Sequence, residues 1–203
     1  MKFAVFYPKP GFRWTNNKVV FLGSVVVLPL FAHSQEWGYY CRYIMTFLIV
    51  IWFFWVLYVL VMSFFEVEKL KGILSGFIIF EKDFIEVEEE RYELESIKRI
   101  ELQVSDYYGK LMNDDRHILN AKLSTGTANT LKLVFHSGDF LQKNFEIIAQ
   151  YDMYSIKYTL IHYYLLKKIS FTDLALALED TSDYDQQELR KEIERVSRLQ
   201  NKT

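Results

Sequence analysis

Residues 43–65, YIMTFLIVIWFFWVLYVLVMSFF, contain no charge, no glycine and no proline over 23 positions. A helix rises 1.5 Å per residue, so this run reaches about 34 Å, enough to cross a hydrocarbon core of about 30 Å. A water-soluble helix of this length shows a polar face, and none exists here. The run therefore reads as a transmembrane helix, and the rest of the chain is organised by it.

The other early apolar run, residues 19–32 (VVFLGSVVVLPLFA), has only 14 residues and falls short of a span on its own. Asn16 and Asn17 before it, and His33, Ser34 and Gln35 after it, extend it toward the headgroups. Trp14 and Trp37 lie outside its ends, where indoles anchor, and Pro29 is placed to kink or end the helix. Two readings stand. In one, residues 19–65 form an uncleaved two-helix transmembrane hairpin. In the other, the basic flank, the apolar run and the small-residue pattern at Ala32 and Ser34 make a cleaved signal peptide.

Charge orients the hairpin. Lys2, Lys9, Arg13 and Lys18 precede the first run and Lys69 and Lys71 follow the second, while the loop between carries Arg42 and Glu36. The positive-inside rule places residues 1–18 and everything after Phe65 in the cytoplasm, with both termini on that side of the plasma membrane. Of 24 basic and 26 acidic residues, five basic and one acidic precede Glu66, leaving the remainder with an excess of six negative charges. Such a surface argues against nucleic acid as a partner. One cysteine, Cys41, excludes an intramolecular disulfide and any cysteine-cluster metal site.

Beyond the membrane run, hydropathy changes to short alternating stretches. GFIIF (76–80) and FIEV (84–87) flank Glu81-Lys82-Asp83 and predict a hairpin. RYEL (91–94) and IKRIELQV (97–104) follow, the latter with Ile100, Leu102 and Val104 on one face. Residues 118–123 read as a further short stretch. LKLVF (131–135) and FLQKNF (140–145) flank Ser137-Gly138-Asp139, a second hairpin signal. About seven short strands predict a small antiparallel sandwich or barrel. Apolar residues at helical spacing from Met153 to Tyr164, with Asp152 at the N-cap, predict a helix closing it, and Ser170 is placed to cap a short one through Leu178. The tail, 182–203, reads as a separate charged helix with a narrow stripe of Leu189, Ile193, Val196 and Leu199.

GFIIFEKDFIEV followed by RYELESIKRIEL resembles the opening of a bacterial pleckstrin-homology-like domain on a membrane anchor. The similarity runs over residues 73–168. It implies an α+β fold: a transmembrane helical hairpin, then a PH-like β domain over residues 72–180 closed by a C-terminal helix, then the charged tail. It also implies a binding or scaffolding module of the bacterial inner membrane, with no catalytic residues. Here the hairpin turns carry Glu81, Asp83, Glu88, Glu89 and Glu90, which repel anionic headgroups, so specific phosphoinositide binding is not expected.

Candidate sites are few. Asp114, Asp115 and His117 hold metal-ligating or acid–base groups, but clusters of this kind also make ordinary exposed turns. His33 and Glu36 are either a cation site or interfacial loop residues. His136 and His162 read as structural histidines, and residues 52–55 (WFFW) face lipid, a partner's helices or the first span. No phosphate-binding loop, nucleophile elbow or metal motif is present, so neither enzyme nor cofactor is expected. Tyr151, Tyr154, Tyr158, Tyr163 and Tyr164 cannot all point inward, and exposed tyrosines favour interfaces. Tyr154, Tyr158, Leu189, Ile193, Val196 and Leu199 are therefore the candidate protein-interaction residues of an adaptor, whose partner is a membrane or cytoplasmic protein or a second copy. The alternative is a membrane effector whose barrel binds a small signalling molecule and drives its helices to oligomerise.

Overall fold

The computed structural model describes residues 1–11, 14–34, 36–112, 119–180 and 182–200. Its elements are β1 (Lys2–Pro8), α1 (Asn16–Ser34), α2 (Tyr39–Ser63), β2 (Gly72–Phe80), β3 (Phe84–Val87), β4 (Glu90–Glu93), β5 (Ile97–Gln103), β6 (Tyr108–Leu111), β7 (Leu123–Thr125), β8 (Asn129–Phe135) and β9 (Phe140–Phe145). A 3₁₀ turn at Asp152–Ile156 then leads into α3 (Lys157–Leu165), α4 (Phe171–Ala177) and α5 (Asp183–Gln200). Two compact units result. One joins Met1–Lys9, Leu70–Lys110 and Thr125–Thr203, and the other joins Pro10–Lys69 and Leu111–Ser124.

In the helical unit, α1 has 19 residues and α2 has 25, both long and apolar enough to cross a membrane. Phe21, Val25, Val26, Phe47, Phe53 and Phe54 are exposed, the reverse of what a soluble core helix shows. Pro29 does not end α1, which continues to Ser34. The Trp52 indole lies against Gly23, where a side chain would have no room, so the two helices approach each other at that glycine. Before α1's first turn closes, Asn17 is engaged by the 119–120 segment: its Oδ1 accepts from Leu119 N at 3.0 Å.

The sheet unit differs from expectation in one decisive way. Residues 2–8, read as part of a cytoplasmic N-terminal segment over 1–18, form a strand at the centre of the sheet. Among the described residues the order is β4-β3-β2-β1-β9-β8-β5, and every pairing in it is antiparallel. KFAVFYP does alternate, with Phe3 and Val5 facing the core, but its basic neighbours and its distance from the other strands obscure this. Opposite Val5 the partner strand carries an extra residue, and Gly76 takes a left-handed φ of 72° there, as a bulge of this kind requires.

Strand order also fixes curvature. β4 and β5 occupy opposite edges, yet only residues 94–96 link them. A flat sheet would separate those edges by about 29 Å at ~4.8 Å per strand, whereas such a link reaches about 14 Å. The sheet must roll, and the rings of Tyr92 on β4 and Phe135 on β8 stand 5.4 Å apart across its concave side. The predicted sandwich or barrel is thus one rolled sheet with no closing ladder between its edge strands among the described residues. Its concave face buries Ile78, Ile85, Ile100, Leu102, Leu131, Leu133 and Phe145.

The helices fill the mouth of this roll. Leu160, Ile161 and Tyr163 of α3 are fully buried, and the Tyr163 hydroxyl donates to the Glu81 carbonyl at 2.5 Å, tying α3 to the β2–β3 turn. Burial pushes the Tyr163 phenol's pKa up. α3 begins later than predicted: Asp152 does not cap it but accepts from Ala149 N at 2.8 Å, and a 3₁₀ turn intervenes. Lys167 closes α3 with a left-handed φ of 59°. Ser170 caps α4 as predicted, its hydroxyl accepting from Asp173 N at 3.0 Å.

Candidate interaction surface

After β9 the chain turns so that Ile147 is buried and Ile148 is 67% exposed. Tyr151 then adopts φ 68°, a conformation that costs a bulky L-residue about 1–2 kcal/mol. Its ring is 57% exposed and meets Tyr154 edge-on at 5.8 Å. One helical turn on, Tyr158 is 66% exposed. Ile148, Tyr151, Tyr154 and Tyr158 thereby make an apolar and aromatic ledge.

Tyr154 also works inward. Its hydroxyl donates to the carboxylate of Asp180, and Lys157, which pairs with Glu192 of α5, lies 5.3 Å from its ring centre. Burial, then the bond to Asp180, raises the phenol's pKa; burial likewise raises that of Asp180. Tyr154 is therefore half interface candidate and half bolt between α3 and the α4–α5 junction.

The tail stripe is spent within the chain. Leu189 and Ile193 are buried in the sheet unit's core and Val196 packs against it, leaving Leu199 exposed. A narrow apolar stripe predicts docking but not on what; here α5 packs on the chain's own α3 and α4, with Lys157 paired to Glu192 and the Arg190 guanidinium 3.9 Å from the Phe171 ring centre. Of the six residues named from sequence, Tyr158 and Leu199 are well exposed and Tyr154 partly so.

A second feature had no sequence signal, since its members lie far apart. Lys143 Nζ donates to the Tyr7 hydroxyl and to Glu88, each at 2.7 Å, and the Tyr7 hydroxyl donates to the same carboxylate. Glu88 and Glu89 form the two-residue β3–β4 turn with φ of 55° and 72°, left-handed geometry that Asn-Gly usually supplies. Nearby, the Tyr92 hydroxyl donates to Glu90 at 2.5 Å, and that bond, more than burial, pushes its pKa up to about 12.

Among the described residues no group of histidines, cysteines and carboxylates is placed to hold a metal. Asp114, Asp115 and His117 lie outside the described residues. His33 and Glu36 pair with each other at 3.3 Å on an exposed helix end, with His33 also against the Trp37 ring. His136 sits in the β8–β9 turn with its backbone N–H bonded to Ser96, and burial lowers the pKa of His162. Open clefts of about 390 Å³ and 430 Å³ are lined by Arg99, Tyr164, Lys167 and Lys168, and by Lys191, Arg195 and Arg198 of α5.

Comparison with protein-family models, with curated proteins and with solved structures finds no match. The reading of this surface rests on its geometry alone.

Proposed function

We propose that the chain is a non-enzymatic interaction protein of the bacterial inner membrane, an adaptor anchored by a two-helix hairpin with both termini cytoplasmic. It presents a PH-like domain to protein partners. The observation that carries this is the ledge of Ile148, Tyr151, Tyr154 and Tyr158: exposed, aromatic and held partly in strained backbone. Aromatic side chains of this kind are the usual anchors of protein interfaces. Placing β1 between β2 and β9 supports the hairpin, because the strand before α1 and the strand after α2 share one sheet and belong on one side. It also speaks against signal cleavage, which would remove the sheet's middle strand.

A photo-crosslinking residue at position 158, in the full chain in its own membranes, tests this. One protein captured in stoichiometric amount, and lost when Tyr151 is changed to Ser, is the expected result. A chain that crosslinks to nothing and purifies alone overturns it. The ligand-gated effector is the second reading, favoured by the convergence of Tyr7, Glu88, Lys143 and Tyr92 within the roll.

A further inference from the structure

The outer face of the sheet is divided by chemistry. On β5, β8 and β9 it is mostly polar: Glu101 pairs with Lys132 at 3.1 Å and Thr130 bonds Asn144 at 3.2 Å, while the large exposed ring there, Phe140 at the start of β9, lies 5.6 Å from the Lys132 ammonium. On β1 and β2 it is apolar. Register places Ala4 beside Phe77, Phe6 beside Leu74 and Lys2 beside Ile79, so these six share that face. Phe77 is 52% and Leu74 38% exposed. Central strands of a sheet do not ordinarily leave phenylalanine and leucine uncovered on one face only.

Three observations select what covers them. First, the two strands that carry the stripe are covalently continuous with the apolar helices: seven residues separate Pro8 from Asn16 and eight separate Ser63 from Gly72. Each link reaches about 30 Å at most, so the stripe is held at high effective concentration beside whatever those helices enter. Second, charge changes sign here. The unit is acidic overall, yet Lys2–Pro8 and Gly72–Phe80 hold no acidic residue and one lysine, Lys2, whose ammonium lies 5.8 Å from the Phe77 ring centre; Glu86 of β3, in register with Ile79, borders the face on its other side. Third, Lys9 and Lys71, both exposed, stand at the end of these strands and join through Lys9 N to the Lys71 carbonyl at 2.9 Å. Apolar side chains bordered by lysines match the lipid–water interface of an anionic membrane.

We infer that the outer face of β1–β2 rests in the headgroup–acyl boundary of the bilayer, with Leu74 and Phe77 inserted. This rests on the reading of α1 and α2 as spans. The contact is a general one with the interface and needs no phosphoinositide, in keeping with the acidic turns at Glu81–Asp83 and Glu88–Glu90 that flank β3.

Single nitroxide labels test it. Cys41→Ser gives a cysteine-free chain, into which Leu74→Cys, Phe77→Cys, Tyr158→Cys and Val50→Cys are introduced one at a time. The full protein is reconstituted in vesicles of phosphatidylcholine and phosphatidylglycerol. Collision with oxygen, which concentrates in lipid, is compared with collision with a water-soluble nickel chelate. Labels at 74 and 77 should be relaxed more by oxygen, as at 50, with the reverse at 158. Nickel-dominated relaxation at 74 and 77, with 50 still in lipid, overturns the inference and leaves the spans intact. Low collision with both reagents at 74 and 77 also overturns it, since protein would then cover the face. Nickel access at 50 overturns the spanning reading itself.

Discussion

Asn129 clasps Asp106 through the backbone in both directions: its Oδ1 accepts from Asp106 N at 3.0 Å, and its Nδ2 donates to the Asp106 carbonyl at 2.9 Å. The same amide accepts from Ser105 N at 3.0 Å and donates to the Gly126 carbonyl at 2.9 Å, in a site with no solvent exposure. The Asp106 carboxylate in turn accepts from Ala128 N at 3.1 Å. One side chain thus supplies the backbone partners that the loop after β5 and the turn before β8 lack. Asn129→Ala leaves several buried groups unpaired, each costing about 1–3 kcal/mol. A loss of at least about 3 kcal/mol is expected, read by chemical denaturation of the detergent-solubilised chain, with Asn129→Asp also destabilising because it abolishes the donor half.

β1 makes a second prediction. Val5 is fully buried between β2 and β9, and Phe3 packs edge-on against Phe80 and Phe145 at 5.9 and 5.7 Å. Phe3→Ala should cost about 3–5 kcal/mol, and Val5→Asp should prevent the sheet from forming. Mass spectrometry of protein extracted from membranes should find the peptide holding Phe3 and Val5 on the same chain as β2. Its absence would mean that the sheet forms without its middle strand.

The tail helix divides what the sequence told from what it withheld. Alternation at 76–87, 97–103 and 140–145 and the cap at Ser170 were legible because they depend on neighbouring residues. β1 and the partner of α5 were not, because each is settled by other parts of the fold: a gap between β2 and β9, and the surface that α3 and α4 present to α5. The Tyr7–Glu88–Lys143 cluster escaped for the same reason. Leu189→Ala is accordingly expected to cost about 2–5 kcal/mol, and Ile193→Asp to free α5, seen as rapid tryptic cleavage after Arg190 and Lys191 while the sheet stays resistant.

Acidity should tighten the α3–α5 junction. Burial raises the Asp180 carboxyl above its ordinary value of 3.8, partly offset by its bond from Tyr154 and by Lys157, with Asp185 and Glu192 adding to the rise. The folded chain therefore binds this proton more tightly than the unfolded one. The stabilisation is fully present below the unfolded value and is lost as pH rises through the raised one. Asp180→Asn, neutral at every pH, should flatten that part of the stability profile just above the ordinary aspartate range; an unchanged profile would mean that the carboxyl titrates normally.

Cys41 offers the cheapest check on orientation. It is the sole thiol, it is exposed, and it lies in the first turn of α2, next to the link from α1. With both ends of the hairpin inside, this thiol faces outward, within reach of a membrane-impermeant maleimide on cells whose outer barrier admits the reagent. Labelling of intact cells equal to that of lysed cells is the expected outcome, and Cys41→Ser should remove it. Labelling only after lysis would place the α1–α2 link in the cytoplasm. Because β1 and β2 share one sheet, the whole sheet unit would then move to the outer side together, and a partner for the proposed adaptor would have to be sought there.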